Sequence, residues 1–280
     1  MSRVIEYLNG NRIHPGSTIL NGENRSFLFG DGLFETIRIF NGKPIFLASH
    51  IERMMFGMDR MFMEHPLETF EKHMQDFISM TIQSEKIING RARLTVYRDA
   101  SGFYTPSDLN SSWHLIIRES EAKQLSEVAD CKVVLFPSMR KDNSMVSRFK
   151  TTSSLIYVMA GIHAASSGAD ECIIMNHENR LVESHTSNLF LKNGKEYYTP
   201  PVTEGCIDGV MRRHLIGIMN RNDIPVREIP LTKADLLTAD EVLLTNAMNW
   251  VKPVTEFENQ KYSLESASKL NQLVLEHLAS

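Results

Sequence analysis

The dipeptide Asn41-Gly42, set between two apolar runs, is the feature that most constrains how this chain can fold. Residues 36–40 precede it and residues 44–47 follow it, and both runs are rich in strand-forming side chains. Asn-Gly readily adopts the left-handed conformations of a two-residue hairpin turn, so the pattern predicts antiparallel strands. Residues 27–29, Phe-Leu-Phe, are predicted to form a further strand ahead of this hairpin.

Amphipathic helices and short strands follow along the rest of the chain. Apolar residues recur at helical spacing in residues 51–62, and Ser49 is the predicted N-cap of that helix. Further helices are predicted at 67–87, 155–168, 208–221 and 264–277, and strands at 92–98, 113–118, 131–137, 171–175, 180–183, 188–191, 196–199 and 241–245. Short strands in series with interspersed helices favour an α+β fold over a repeated βαβ winding.

A charged segment with few large apolar residues, 119–129, is the predicted linker between two halves of the chain. We therefore expect a small N-terminal α+β domain of residues 1–124 and a larger C-terminal domain of residues 125–280. A chain of 280 residues is long enough for two domains of ordinary size.

Composition excludes several classes of partner. The chain carries 30 Lys and Arg against 34 Asp and Glu, a formal net charge of −4. It therefore lacks the excess of positive charge that is typical of proteins that bind nucleic acid or an anionic membrane. No apolar stretch approaches the roughly 18 residues of a membrane span, and the N-terminus does not resemble a signal peptide. Three scattered cysteines without a CxxC pair argue against a disulfide framework and a zinc site, so we expect a cytoplasmic protein without a metal.

Common catalytic and phosphate-binding motifs are missing, including GxxxxGK[ST], GxGxxG after a strand, HExxH and GxSxG. Seven features nevertheless occur in order: FGDGLFETIR at 29–38, HIERM at 50–54, a lone Lys150, LVESHTSNLF at 181–190, YTPP at 198–201, DGVMR at 208–212 and DEVLLTNA at 240–247. Together they resemble the class IV aminotransferase family, the fold type IV enzymes that use pyridoxal 5′-phosphate (PLP). The resemblance runs from about residue 5 to residue 255.

The resemblance implies a fold similar to that of D-amino acid aminotransferase. Such a fold has a small N-terminal and a larger C-terminal α+β domain, with PLP in the cleft between them, and the enzymes are usually homodimers. A small-molecule amino substrate is implied as well. This agrees with the linker predicted from composition.

Three residues match the family's principal cofactor contacts. Lys150 matches the Schiff-base lysine, which also acts as general base once a substrate amine has displaced it. Glu183 matches the carboxylate that pairs with the pyridine nitrogen, where a protonated ring is the stronger electron sink. Arg53, in the His-x-x-Arg element, matches the phosphate-binding arginine, whose guanidinium can bind phosphate oxygens bidentately.

Further cofactor contacts are implied by two later segments. The turn of Gly209, Val210 and Met211 opens a predicted helix, so its backbone N–H groups can hold phosphate oxygens. Asn246 and Ala247 match the second cofactor-binding segment, and Asn246 is equally interpretable as a structural residue. Aminotransferases of the family commonly carry threonine at the position of Met211 and near Ala247, so both hydroxyls are missing from this chain.

These departures bear on the reaction. Branched-chain aminotransferases carry tyrosine where this chain has Leu155, and D-amino acid aminotransferases carry an Arg-x-His pair that residues 101–106 lack. The segments around Met211 and Ala247 resemble those of 4-amino-4-deoxychorismate lyases, which release 4-aminobenzoate for folate biosynthesis together with pyruvate. We therefore expect this lyase activity. The alternatives are an aminotransferase acting on branched-chain or D-amino acids and, more remotely, a non-catalytic PLP-binding module.

Overall fold

The computed structural model describes residues 3–14, 16–17, 21–120 and 130–279. The chain divides into two compact units, one of Met1–Lys123 with Phe149–Ser154 and the other of Gln124–Arg148 with Leu155–Ser280. All but the first two residues of the predicted linker at 119–129 lie outside the described residues, so the boundary between 124 and 125 stays a prediction.

The first unit is a six-stranded antiparallel sheet with helices. Its strands, in chain order, are β1 (Val4–Leu8), β2 (Asn11–Ile13), β3 (Gly32–Phe40), β4 (Lys43–Pro44), β5 (Gly90–Arg98) and β6 (Ser111–Glu119). They are arranged β2-β1-β6-β5-β3-β4. The helices are α1 (Arg25–Phe29), α2 (Leu47–Arg60) and α3 (Phe70–Ser84). Alternate side chains of the sheet pack against the apolar faces of α2 and α3, which together form the core of this unit.

The hairpin that Asn41-Gly42 predicts is confirmed. Asn41 has a φ of 49° and Gly42 a φ of 75°, so both turn residues are left-handed, as a type I′ turn requires. The turn joins β3 to β4, and β4 is shorter than predicted because α2 already begins at Leu47. Ser49 therefore lies within the first turn of α2 and is not its N-cap, a position that Phe46 occupies.

The strand predicted at 27–29 is wrong. These residues belong to the short helix α1, because the Asn24 side chain accepts a hydrogen bond from the Phe27 N–H at 3.1 Å and caps the helix start. Gly30 then ends the helix in the left-handed conformation, with a φ of 68°.

The second unit contains two sheets. One consists of β7 (Lys132–Arg140), β8 (Glu171–Met175), β9 (Arg180–Ser184), β13 (Leu231–Thr232), β16 (Glu256–Phe257) and β17 (Gln260–Lys261), in the order β13-β9-β8-β7-β16-β17. The other consists of β10 (Asn188–Asn193), β11 (Glu196–Thr199), β12 (Val226–Glu228), β14 (Glu241–Asn246) and β15 (Trp250–Val254), in the order β12-β11-β10-β14-β15. Buried residues of both sheets share one core.

Helices flank these sheets: α4 (Leu155–Ser166), α5 (Val210–Arg221), α6 (Lys233–Thr238) and α7 (Glu265–Ala279), with a short 3-10 helix at Val202–Glu204. The strands predicted at 171–175 and 196–199 and the four helices predicted beyond residue 62 are confirmed, with ends that differ by a few residues. The α+β class is confirmed as well. Across the described parts of the chain, no helix has the length and apolar content needed to cross a membrane.

Candidate active site

Lys150 is held in the first unit by backbone hydrogen bonds to β3. The Phe34 N–H donates to the Lys150 carbonyl at 2.9 Å, and the Thr152 N–H donates to the Gly32 carbonyl at 2.8 Å. Leu33 and Thr151 form an antiparallel bridge between these two contacts. The backbone on both sides of Lys150 is therefore fixed along the first residues of β3.

Phe149 anchors this segment in the core. Its side chain is buried, and its ring packs edge-on against Phe56 of α2, with the ring centroids 6.2 Å apart. Gly57 provides the space, because a Cβ at that position would lie 2.9 Å from the Phe149 ring. Lys150 itself is half-buried, and its Nζ lies 5.6 Å from the centroid of the Phe34 ring.

Arg53 is buried on α2 and bound to a carboxylate of β3. Its Nε and Nη2 donate to the two oxygens of Glu35, at 2.7 and 2.6 Å. His50, one helical turn earlier, places its Nδ1 2.6 Å from Glu35 Oε2. The fork-shaped pair fixes the plane of the guanidinium and uses two of the five N–H donors that an arginine carries.

The protonation states of this group follow from its geometry. Burial alone would raise the pKa of Glu35, but the charge of Arg53 and the hydrogen bond from His50 outweigh it and lower the pKa to about 2. Burial lowers the pKa of His50, and the positive charges of Arg53 and Lys150 act in the same direction against the attraction of Glu35. His50 is therefore neutral at pH 7 and donates its Nδ1 proton to an ionised Glu35.

Glu183 is buried on β9 in the second unit and accepts four hydrogen bonds. The Tyr157 hydroxyl and the Lys141 ammonium donate to Oε1 at 2.8 and 2.9 Å. The Ile207 N–H and the Asn188 side-chain amide donate to Oε2 at 3.0 and 3.4 Å. Lys141 also donates to two backbone carbonyls, those of Ser147 and Gly205. The direction of the carboxylate is thus fixed from several sides.

The start of α5 adjoins this carboxylate through Asn188. The Asn188 amide donates to the Ile207 carbonyl at 2.8 Å, and a Cβ on Gly209 would overlap the Asn188 amide oxygen. Gly209 is the N-cap of α5, and among the described residues no side chain caps this helix. Val210 and Met211 in its first turn are buried. A buried helix start without a side-chain cap is a site where an anion can accept hydrogen bonds from the backbone.

The Asn246 side chain forms hydrogen bonds with other residues of the protein. Its amide donates to Ser187 Oγ at 2.9 Å, while its oxygen accepts from the N–H groups of Met248 and Asn249 at 2.9 and 2.8 Å. The side chain therefore closes the turn between β14 and β15, and Ala247 lies half-buried inside that turn. This arrangement favours the structural interpretation of the Asn246 side chain.

The predicted site residues thus fall into two groups. Lys150 and Arg53 both attach to β3 in the first unit, and Glu183, the turn Gly209–Met211, Asn246 and Ala247 lie in the second unit. Sequence reasoning did not single out Glu35, His50 and Asn188, although they stand inside the motifs that carry the resemblance. Lys141 and Tyr157 had no such signal, because only tertiary packing places them beside Glu183.

Residues 32–257 match the family model for amino-transferase class IV, a class of PLP-dependent enzymes. The chain belongs to this family and is an enzyme of that class. An aminodeoxychorismate lyase of Bacillus subtilis is 27% identical over 278 residues, covering 96% of this chain and 92% of the relative. A putative branched-chain-amino-acid aminotransferase of Methanocaldococcus jannaschii is 26% identical over 271 residues, covering 95% of this chain and 93% of the relative.

The fold type IV class is confirmed by solved structures. A branched-chain aminotransferase from Thermoproteus uzoniensis matches with a TM-score of 0.88 at 22% identity, over 97% of this chain and 93% of that one. Each unit also carries groups that suit PLP. The first offers a half-buried amine and a buried guanidinium, and the second offers a buried carboxylate and a helix start without a side-chain cap.

Proposed function

We propose that this enzyme is a 4-amino-4-deoxychorismate lyase that forms 4-aminobenzoate and pyruvate. The observation that carries the proposal is the start of α5, where buried Met211 offers no hydroxyl at a position that is commonly threonine in aminotransferases of the family. The full-length similarity to the Bacillus subtilis lyase supports it. The product would serve folate biosynthesis, and we expect the enzyme to act in the cytoplasm.

In this proposal each predicted site residue has its own task in binding PLP. Lys150 carries the cofactor covalently, Glu183 accepts a hydrogen bond from the protonated pyridine nitrogen and so keeps it protonated, and Arg53 binds the phosphate. Backbone N–H groups of Val210 and Met211 bind the remaining phosphate oxygens, where a side chain on Gly209 would collide with Asn188. The backbone N–H of Ala247 is a further donor, since the Asn246 side chain holds the turn around it.

Lys150 is the residue that takes the proton from the substrate. When bound, PLP withdraws electrons from the carbon that bears the substrate amine and so acidifies its proton. The Lys150 amine, once released, takes that proton as general base. The C–O bond on the neighbouring substrate carbon then breaks, and the six-membered ring of the substrate becomes aromatic as 4-aminobenzoate. The expelled enolpyruvate gains a proton and becomes pyruvate. No water and no oxidant are consumed.

An aminotransferase remains the second candidate, because the relative from Methanocaldococcus jannaschii matches almost as well. Such an enzyme would use Lys150 for the same first proton but would return it to the cofactor. The two activities separate in one experiment. The holoenzyme is incubated with 4-amino-4-deoxychorismate, and 4-aminobenzoate and pyruvate are measured; leucine or D-alanine is then offered with 2-oxoglutarate. Equal amounts of both products are expected in the first arm, and turnover in the second arm alone would overturn the lyase proposal.

We further propose that the enzyme is a homodimer and that α4 contributes to its interface. Leu155, Val158, Met159 and Ile162 follow one face of α4 and are 63%, 55%, 41% and 57% exposed. An apolar stripe of this kind is typical of a protein–protein contact. Light scattering coupled to size-exclusion chromatography should give twice the chain mass, and the double variant Val158→Glu, Ile162→Glu should give the monomer. A monomeric parent would contradict this proposal.

A further inference from the structure

Trp250 begins β15 in a backbone conformation that its side chain disfavours. Its φ is 55°, in the left-handed region, and its indole ring is fully buried. For a bulky side chain this region is an outlier that the surrounding structure must hold in place, and such outliers cluster at functional sites. Trp250 pairs with Asn246 across the hairpin of β14 and β15, so its conformation sets the end of the turn that contains Ala247. The strained residue thus adjoins the proposed second cofactor segment.

A buried asparagine of α7 holds the residue that follows Trp250. The Asn271 side-chain oxygen accepts from the Val251 N–H at 3.0 Å, and its amide donates to the Val251 carbonyl at 2.9 Å. Because β15 is the last strand in the order of its sheet, Asn271 takes the place that a further strand would occupy beside Val251. One side chain therefore fixes both backbone groups next to the strained tryptophan.

The turn of residues 246–249 is therefore held at both ends. At its start the Asn246 side chain accepts hydrogen bonds from two N–H groups inside the turn, and beyond its end Asn271 binds Val251. The bonds of Asn246 are local and fix the shape of the turn. The bonds of Asn271 come from the last helix of the chain, Glu265–Ala279, and fix where β15 lies after the turn. A turn held in this way presents its backbone N–H groups in one direction.

We propose that Asn271 is a positioning residue of the cofactor site, because it holds Trp250 and the turn before it in the conformation that binds PLP. The inference rests on the proposed function in one respect, the hydrogen bond from the Ala247 N–H to the cofactor phosphate. Hydrogen bonds weaken steeply when the N–H points away from its acceptor, so a turn that rotates loses this contact. A turn that is already ordered binds more tightly, since no ordering is needed when the cofactor arrives. Helix α7 thereby serves the cofactor site through the backbone of β15.

The test compares Asn271→Ala with Ser266→Ala in the PLP-loaded enzyme. Ser266 is the matched control, because it is also buried on α7, and its hydroxyl donates to Glu241 at 2.6 Å, at the opposite end of β14 from the turn. Both variants should lower the midpoint of urea unfolding, since each leaves buried hydrogen-bonding groups without a partner. Only Asn271→Ala should weaken PLP binding, by at least about fivefold in equilibrium dialysis, whereas Ser266→Ala should change it by less than about twofold.

Asn271→Asp is the second variant, for use where Asn271→Ala does not fold. It has the same size and keeps the acceptor for the Val251 N–H but loses the donor, so PLP affinity should fall at least about twofold.

A double-mutant cycle tests whether Asn271 acts through the turn. Asn246→Ala releases the turn directly, so adding Asn271→Ala should weaken PLP binding by less than about twofold further. Fully additive losses would overturn the inference, as would parent-like PLP affinity in the folded Asn271 variants or an equal loss in Ser266→Ala. A parent enzyme that takes up no PLP would instead overturn the proposed function.

Discussion

Glu35 in the first unit and Glu183 in the second are both buried carboxylates, with 1% and 2% of their surface exposed, yet they are held in different ways. Glu35 receives its side-chain donors from one helix, since Arg53 and His50 both lie on α2. Glu183 receives donors from four separate segments, through Tyr157, Lys141, Asn188 and the Ile207 N–H.

These different surroundings suit the two carboxylates to different tasks. The Glu35 pair ties α2 to β3 and fixes the position of Arg53, so its loss should appear mainly as lost stability. The donors around Glu183 come from elements that are far apart in sequence, and they hold the carboxylate in one direction. Its proposed task is to face the pyridine nitrogen, so its surroundings should matter mainly for the cofactor.

Replacement of Lys150 should have the largest effect on activity, because this residue of the first unit is the proposed general base. Lys150→Ala should lower turnover by at least about 10²- to 10⁴-fold, the contribution of a general base, even with added PLP. Its unfolding midpoint in urea should change little, because the hydrogen bonds of Lys150 to β3 come from the backbone. Turnover near the parent level would show that the lysine is misassigned.

Glu35→Ala should have the largest effect on stability. It leaves Arg53 buried without its carboxylate, which costs about 3–5 kcal/mol of unfolding free energy. Glu196→Ala is the matched control, because its pair with Arg227 is largely exposed and should contribute far less. Equal losses in urea unfolding of the two variants would contradict the role given to Glu35.

The lowered pKa of Glu35 predicts that stability depends on pH. Its pKa is lowered from 4.5 to about 2 in the folded protein, so its stabilising effect is complete above pH 4.5 and is lost as the pH falls toward 2. Glu35→Gln should remove this part of the dependence, which urea unfolding at several pH values between 5 and 3 would measure. A parallel pH curve for parent and variant would show that Glu35 titrates normally.

Gly57→Ala tests the anchoring of the lysine segment. The added Cβ would lie 2.9 Å from the Phe149 ring, and such overpacking costs about 1–3 kcal/mol. Displacement of Phe149 should also lower turnover, because Lys150 follows it directly. Gly217→Ala in α5 is the control, since a Cβ there meets nothing closer than the Arg221 guanidinium at 3.5 Å and should be tolerated.

The smallest expected effect concerns the donors of Glu183. Tyr157→Phe removes one of them and should cost about 1 kcal/mol of unfolding free energy, because the other three remain. Affinity for PLP should fall more clearly than stability, because the direction of the carboxylate determines how it faces the pyridine nitrogen. Tyr198→Phe, which removes a hydroxyl bonded to Glu196 near the surface, should change neither quantity measurably.

Sequence patterns predicted most of the elements because their signals are local. The turn at Asn41-Gly42 and the helix start at Gly209 depend only on neighbouring residues. The strand predicted at 27–29 failed because capping by Asn24 outweighs the strand propensity of three apolar side chains.

The contacts within the site could not be predicted in the same way. Glu35 meets Arg53 across 18 positions of sequence, and Lys141 meets Glu183 only through tertiary packing.

One measurement directly tests the proposed attachment of PLP to Lys150. The holoenzyme is reduced with borohydride, digested with a protease, and the peptide that carries the cofactor is sequenced by mass spectrometry. The label is expected on Lys150 and on no other lysine. A label on Lys141, which lies beside Glu183, or a protein that takes up no PLP would contradict it.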